Sequence, residues 1–109
     1  MPNTYKILGQ SIPTANTFFD IYAVPSGANA IVSTVNVCNT TSSNVTFRLA
    51  AKIANTTLTT RQYLVFDTPL PAQDSIALSL GLSLGAGDVL TAFSLQGNVT
   101  FNVFGVEIT

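Results

Sequence analysis

The chain of 109 residues contains no histidine, no tryptophan and a single cysteine, and its charged side chains are four cations and five acids, 8% of the whole. Each scarcity removes a class of function. Without imidazole there is no Ser-His-Asp or Cys-His device and no histidine general base. Zinc needs a cluster of Cys or His, and Cys38 stands alone in the apolar run Val35-Asn36-Val37-Cys38. Lacking an internal partner and a base, it reads as a small buried hydrophobe. The cations Lys6, Arg48, Lys52 and Arg61 are too few and too scattered to track phosphates, so no nucleic-acid partner is expected. No apolar run approaches the ~18–20 residues of a membrane helix, and no membrane partner is expected. The opening Met1-Pro2-Asn3-Thr4 lacks the basic start and apolar stretch of a secretory signal. The Asn-x-Ser/Thr triplets at Asn39, Asn44, Asn55 and Asn98 therefore read as products of an Asn/Thr-rich composition.

Carboxylate chemistry is the remaining catalytic option, carried by Asp20, Asp67, Asp74, Asp88 and Glu107. Their spacing matches no calcium loop and no acid–base pair, and the expected role is capping of turns, with Asp67 and Asp74 flanking a proline-rich connector. The glycine-bearing stretch Gly81-Leu82-Ser83-Leu84-Gly85 is apolar and precedes no helix, so it is no phosphate cradle. No enzyme, cofactor or metal is expected.

What is present is apolar and β-branched. Hydrophobic residues make up 47% of the chain and mean hydropathy is +0.43, ample for one folded core at this length. Alternation with period two runs through Val45, Phe47, Leu49 and Ala51, and again through Ile76, Leu78 and Leu80. Residues 31–37 are β-branched almost throughout, and further strands are expected at 5–9, 18–24, 62–67, 89–94 and 98–108. Residues 25–29, 39–44 and 69–74 carry turn chemistry, while 85–88 and 96–98 read as short hairpin loops. The stretch 50–60 is a loop or an irregular edge strand. Tyr5, Tyr22 and Tyr63 fall in strand-like runs and are expected in core or sheet packing.

One segment changes phase. Val99, Phe101 and Val103 are apolar at odd positions, Phe104, Val106 and Ile108 at even ones. A β-bulge near residues 103–105 would restore a single buried face, with coverage on both faces as the alternative. About eight strands and no helix imply one all-β domain over 1–109, a two-sheet antiparallel β-sandwich, with a jelly roll preferred over an immunoglobulin-like order.

Several pieces taken in order carry a resemblance: Tyr5-Lys6-Ile7-Leu8-Gly9-Gln10, Tyr22-Ala23-Val24-Pro25 leading into residues 30–39, Asp67-Thr68-Pro69-Leu70-Pro71, Gly81-Leu82-Ser83-Leu84 with Gly87-Asp88, and Phe104-Gly105-Val106-Glu107-Ile108. Together they resemble small virion structural proteins of tailed bacteriophages, cyanophages among them. The resemblance implies a β-sandwich present in many copies, as in capsid decoration (cement) proteins, which are often trimers. Its partners would be itself and the major capsid protein; its place would be the virion, after synthesis in the host cytoplasm. The alternative is a tail, baseplate or fibre-associated part, including a module that binds host glycans through the neutral loops 39–44 and 55–60. On this reading residues 1–17 form an extended N-terminal arm with Ile12, Phe18 and Phe19 as candidate anchors, although core packing is the preferred role of the two phenylalanines. Arg48 and Arg61 would fix orientation by hydrogen bonds to partner carboxylates or carbonyls.

Overall fold

The computed structural model describes residues 3–54 and 57–109. Met1 and Pro2, at the start of the expected arm, and Asn55 and Thr56, in the third glycosylation triplet and the 55–60 loop, lie outside the described residues. Eight strands form in chain order: β1 (Asn3–Ser11), β2 (Phe19–Ala23), β3 (Asn29–Asn39), β4 (Val45–Lys52), β5 (Tyr63–Leu70), β6 (Ser75–Leu84), β7 (Val89–Phe93) and β8 (Val99–Ile108). A three-residue 3-10 turn, Thr60–Gln62, is the only helical element among the described residues. No helix there is long and apolar enough to cross a membrane.

Two antiparallel four-stranded sheets result, ordered β1-β8-β3-β6 and β2-β7-β4-β5. The protein is a β-sandwich. Every connection except β4–β5 passes from one sheet to the other. Residues 85–88 and 96–98 are therefore arches between sheets, not the hairpin loops the turn residues suggest. Period-two alternation shows which side chains face inward, but it is blind to whether the next strand lies beside or opposite. Asp88 builds the first arch: one carboxylate oxygen accepts from the Gly85 amide and the other from the Ala54 amide.

The core lies between the sheets, where Val32, Val35, Val37, Phe47, Leu49, Leu90, Val99, Phe101 and Val103 are wholly buried. Phe47 and Phe101 join the layers edge to face, with ring centroids 6.1 Å apart. Burial of one such side chain contributes about 1.5–3 kcal/mol. Pro69 lies in β5 instead of in the connector expected at 69–74. β5 is an edge strand, so the missing proline N–H leaves no ladder bond open.

The expected bulge in β8 is displaced onto its neighbours. β8 keeps its odd residues inward from Val99 to Glu107. The extra residues are Leu8 in β1, between Ile7 and Gly9, and Ser33 in β3, between Val32 and Thr34. Both bulges sit beside residues 104–105, and a Cβ at Gly105 would collide with the Ile31 carbonyl oxygen. The phase change in the sequence is thus a reversal of polarity on a strand that does not turn over. Cys38 falls on the outward phase beyond the Ser33 bulge, opposite Thr100 and Ser75, and is half-buried instead of lying in the core.

Candidate interface surfaces

Polarity reversal along β8 creates a surface. In its first half the outward residues are Thr100 and Asn102, with Gln10 of β1 donating to the Asn102 side chain at 2.8 Å. Beyond Val103 the outward residues are Phe104, Val106 and Ile108. The register places Ile7 beside Phe104, and Tyr5 and Ile31 on either side of Val106. These six residues line an open groove of about 730 Å³ together with Asn3, Lys6, Ser33 and Gly105. Tyr5 is 80% exposed and Ile7 51%, and no outward residue among them is charged. An exposed cluster of large apolar side chains is the kind of surface through which proteins interact.

The inner side of the same end is polar. Lys6 and Glu107 both point inward and meet at 2.9 Å, the carboxylate side chain being only 11% exposed. The buried Tyr22 hydroxyl of β2 donates to the other carboxylate oxygen at 2.6 Å. That bond, and then the Lys6 ammonium, hold the Glu107 carboxyl below its ordinary value. Burial, followed by the bond to Glu107, raises the Tyr22 phenol well above its own. This trio fastens the β1–β8 edge of one sheet to β2 of the other. At the next level Gly9 lies so close to the Ile21 carbonyl that no Cβ would fit.

A second cluster occupies the outer face of the β2-β7-β4-β5 sheet. Arg48 donates to both oxygens of Asp67, at 2.6 and 3.0 Å. Its guanidinium lies 4.2 Å from the Phe66 ring centroid and 4.8 Å from that of Phe93. Phe93 in turn stacks on Phe18 at 4.5 Å. Asp67 reaches this position because Phe66 and Asp67 together face one residue of β4, with Asp67 at φ +48°. A groove of about 410 Å³ runs beside the cluster, lined by Phe18, Lys52, Tyr63, Thr91 and loop residues 58–60. Lys52 contacts the Asp20 carboxylate at 3.3 Å. Among the described residues no three Cys, Asp or Glu side chains gather as metal ligands.

Of the residues singled out from the sequence, Phe18 and Arg48 converge on Phe93. Ile12 is exposed on the β1–β2 connection, Phe19 is exposed at the start of β2, and Arg61 is exposed in the 3-10 turn. The last three do not share a surface cluster with that pair. Neither phenylalanine enters the core, and Tyr5 projects into solvent against the expectation of packing. The Arg48 fork is engaged within the chain.

In the 39–44 loop, Asn39 turns inward and is buried. Its amide donates to the Ser43, Leu70 and Pro71 carbonyls, and its oxygen accepts from Thr41. Sequence reasoning missed the Tyr5–Ile7–Ile31–Phe104–Val106–Ile108 surface. Its signal is the even-position apolar run after Val103, which a bulge would turn into the core and which the structure leaves on the outward face. No family model, curated protein or solved structure matches this chain.

Proposed function

We propose that this chain is a phage virion structural protein of the decoration type, which binds the assembled shell and stabilises it through protein contacts. The observation that carries the reading is the exposed, predominantly apolar surface around Tyr5, Ile7, Phe104 and Val106, on a domain that has a separate buried core. A body with so few charges stays soluble most readily when neighbours cover such faces. A ligand of the assembled lattice that does not bind free subunits stabilises the assembly by mass action, and many copies add avidity. The strand order supports the finer description as a jelly roll. The first and last strands are neighbours, and the orders 1-8-3-6 and 2-7-4-5 differ from the four-plus-three order of an immunoglobulin constant domain.

The test compares particles with and without the chain. Those lacking it should break open at lower temperature and under milder osmotic shock; equal resistance would refute the decoration role. The groove beside Tyr63 and Phe18 favours, as a second reading, a tail-borne module that binds a neutral glycan. Copy number separates the two: hundreds per particle for a shell, a few dozen at most for a tail.

A further inference from the structure

We propose that the first half of β1, residues 3–7, is an exchangeable strand that pairs with the β8 of a neighbouring copy as readily as with its own. All five residues are exposed. Their inward positions are the polar Thr4 and Lys6, opposite Glu107 and Gly105, so this half places no apolar side chain in the core. It is held by the backbone ladder to β8 and by the Lys6–Glu107 contact. The Leu8 bulge divides it from the second half, where Leu8 packs on the core and Gly9 abuts the Ile21 carbonyl. That division is a natural hinge.

The chemistry of the exposed β8 edge selects the occupant. With residues 3–7 lifted away, β8 would present a free row of backbone donors and acceptors. It would also present the inward Glu107 carboxylate without its cation, and outward Phe104, Val106 and Ile108. A complementary segment must be extended, with a cation on its inward phase and large apolar side chains on both flanking outward positions. Tyr5-Lys6-Ile7 has that pattern. The other candidates in the chain do not: Arg48 and Lys52 are paired with Asp67 and Asp20, and Arg61 lies in the 3-10 turn. The fitting partner is β1 of a second copy. Exchange recreates every contact of the closed form, so local concentration sets its extent, as in other domain swaps. The inference rests on the reading that copies sit side by side.

The test uses the full chain with Cys38→Ser. Tyr5 and Val106 are cross-strand partners, and such Cα pairs lie within disulfide reach, roughly 4.5–5.5 Å. A Tyr5→Cys chain and a Val106→Cys chain carrying tags of different mass are mixed at high concentration and oxidised. Exchange gives a mixed disulfide several-fold above that from Tyr5→Cys with Phe66→Cys, an exposed position outside the register. A yield equal to that control overturns the proposal.

A second measurement uses charge. Chains with K6E or E107K alone oppose like charges within their own β1–β8 contact, and mixing them restores both pairs only across chains. Co-elution of the mixture as a mixed oligomer supports exchange; two separate species overturn it. Should the charge variants fail to fold, the cysteine experiment decides alone. Stabilised particles without cross-chain disulfides would remove the exchange and leave the shell role standing; the converse result would do the opposite.

Discussion

The two halves of β8 share one backbone phase and carry opposite polarity. From Val99 to Val103 the inward side chains are apolar and wholly buried, while the outward Thr100 and Asn102 are polar. In the second half the inward positions hold Gly105 and Glu107, and the outward ones hold Phe104, Val106 and Ile108. The first half is the spine of the core. The second is crowded at Gly105 by the backbone of the adjoining strand β3 and polar at Glu107, and it places its apolar residues on the outward face. Apolar alternation is thus a guide to a domain's own core only where the apolar phase is the inward one.

The comparison is broken most severely at Phe101. Phe101→Ala removes a wholly buried ring that packs on Phe47 and should cost about 3–5 kcal/mol in urea unfolding. A loss under about 1 kcal/mol would mean that the first half of β8 is not the core it is taken for.

An intermediate effect is expected at Glu107, read through pH. Its carboxyl is held below the ordinary 4.5 by the Tyr22 hydroxyl and then by Lys6, so the unfolded chain takes up the proton first as pH falls. The stabilisation is therefore present above the ordinary carboxylate range and is lost as pH drops through the folded-state value. Unfolding midpoints measured from about pH 5 down to about pH 3 should fall in the native chain and fall less in Glu107→Gln. Some acid sensitivity should persist, because Arg48 lowers the Asp67 carboxyl in the same direction. Identical slopes for the two chains would remove Glu107 from any role in fastening the edge.

The smallest effect on stability belongs to Tyr5. Tyr5→Ser alters a side chain that is 80% exposed and should shift unfolding by no more than about 0.5 kcal/mol. Self-association measured by sedimentation should nonetheless weaken. If stability collapses while association is unchanged, the outward face of the second half is structural after all.

Much of the architecture is legible in one dimension. Val45 to Lys52 alternates cleanly and forms β4 with those bounds, and Ile76, Leu78 and Leu80 mark the inward row of β6. Arg48 and Phe18 were identifiable as residues of interest, but their meeting on Phe93 was not. It depends on β7 lying between β2 and β4, an adjacency that local pattern does not encode. The outward surface is not legible in the sequence because alternation reports only that two faces differ. Which of them is inside depends on the strand across the sandwich.

Composition and period-two patterning by themselves determined that this chain is all-β, with one core and without histidine-based chemistry. These properties follow from side-chain type and backbone period, which are local. Tertiary structure alone decided that Lys6 meets Glu107 inside, that Tyr5, Phe104 and Val106 meet outside, and that two neighbouring strands bulge so that β8 can run straight. Each of these depends on pairing between residues 65 or more positions apart, where the identity of a partner is set by the fold's order and not by the residues on either side.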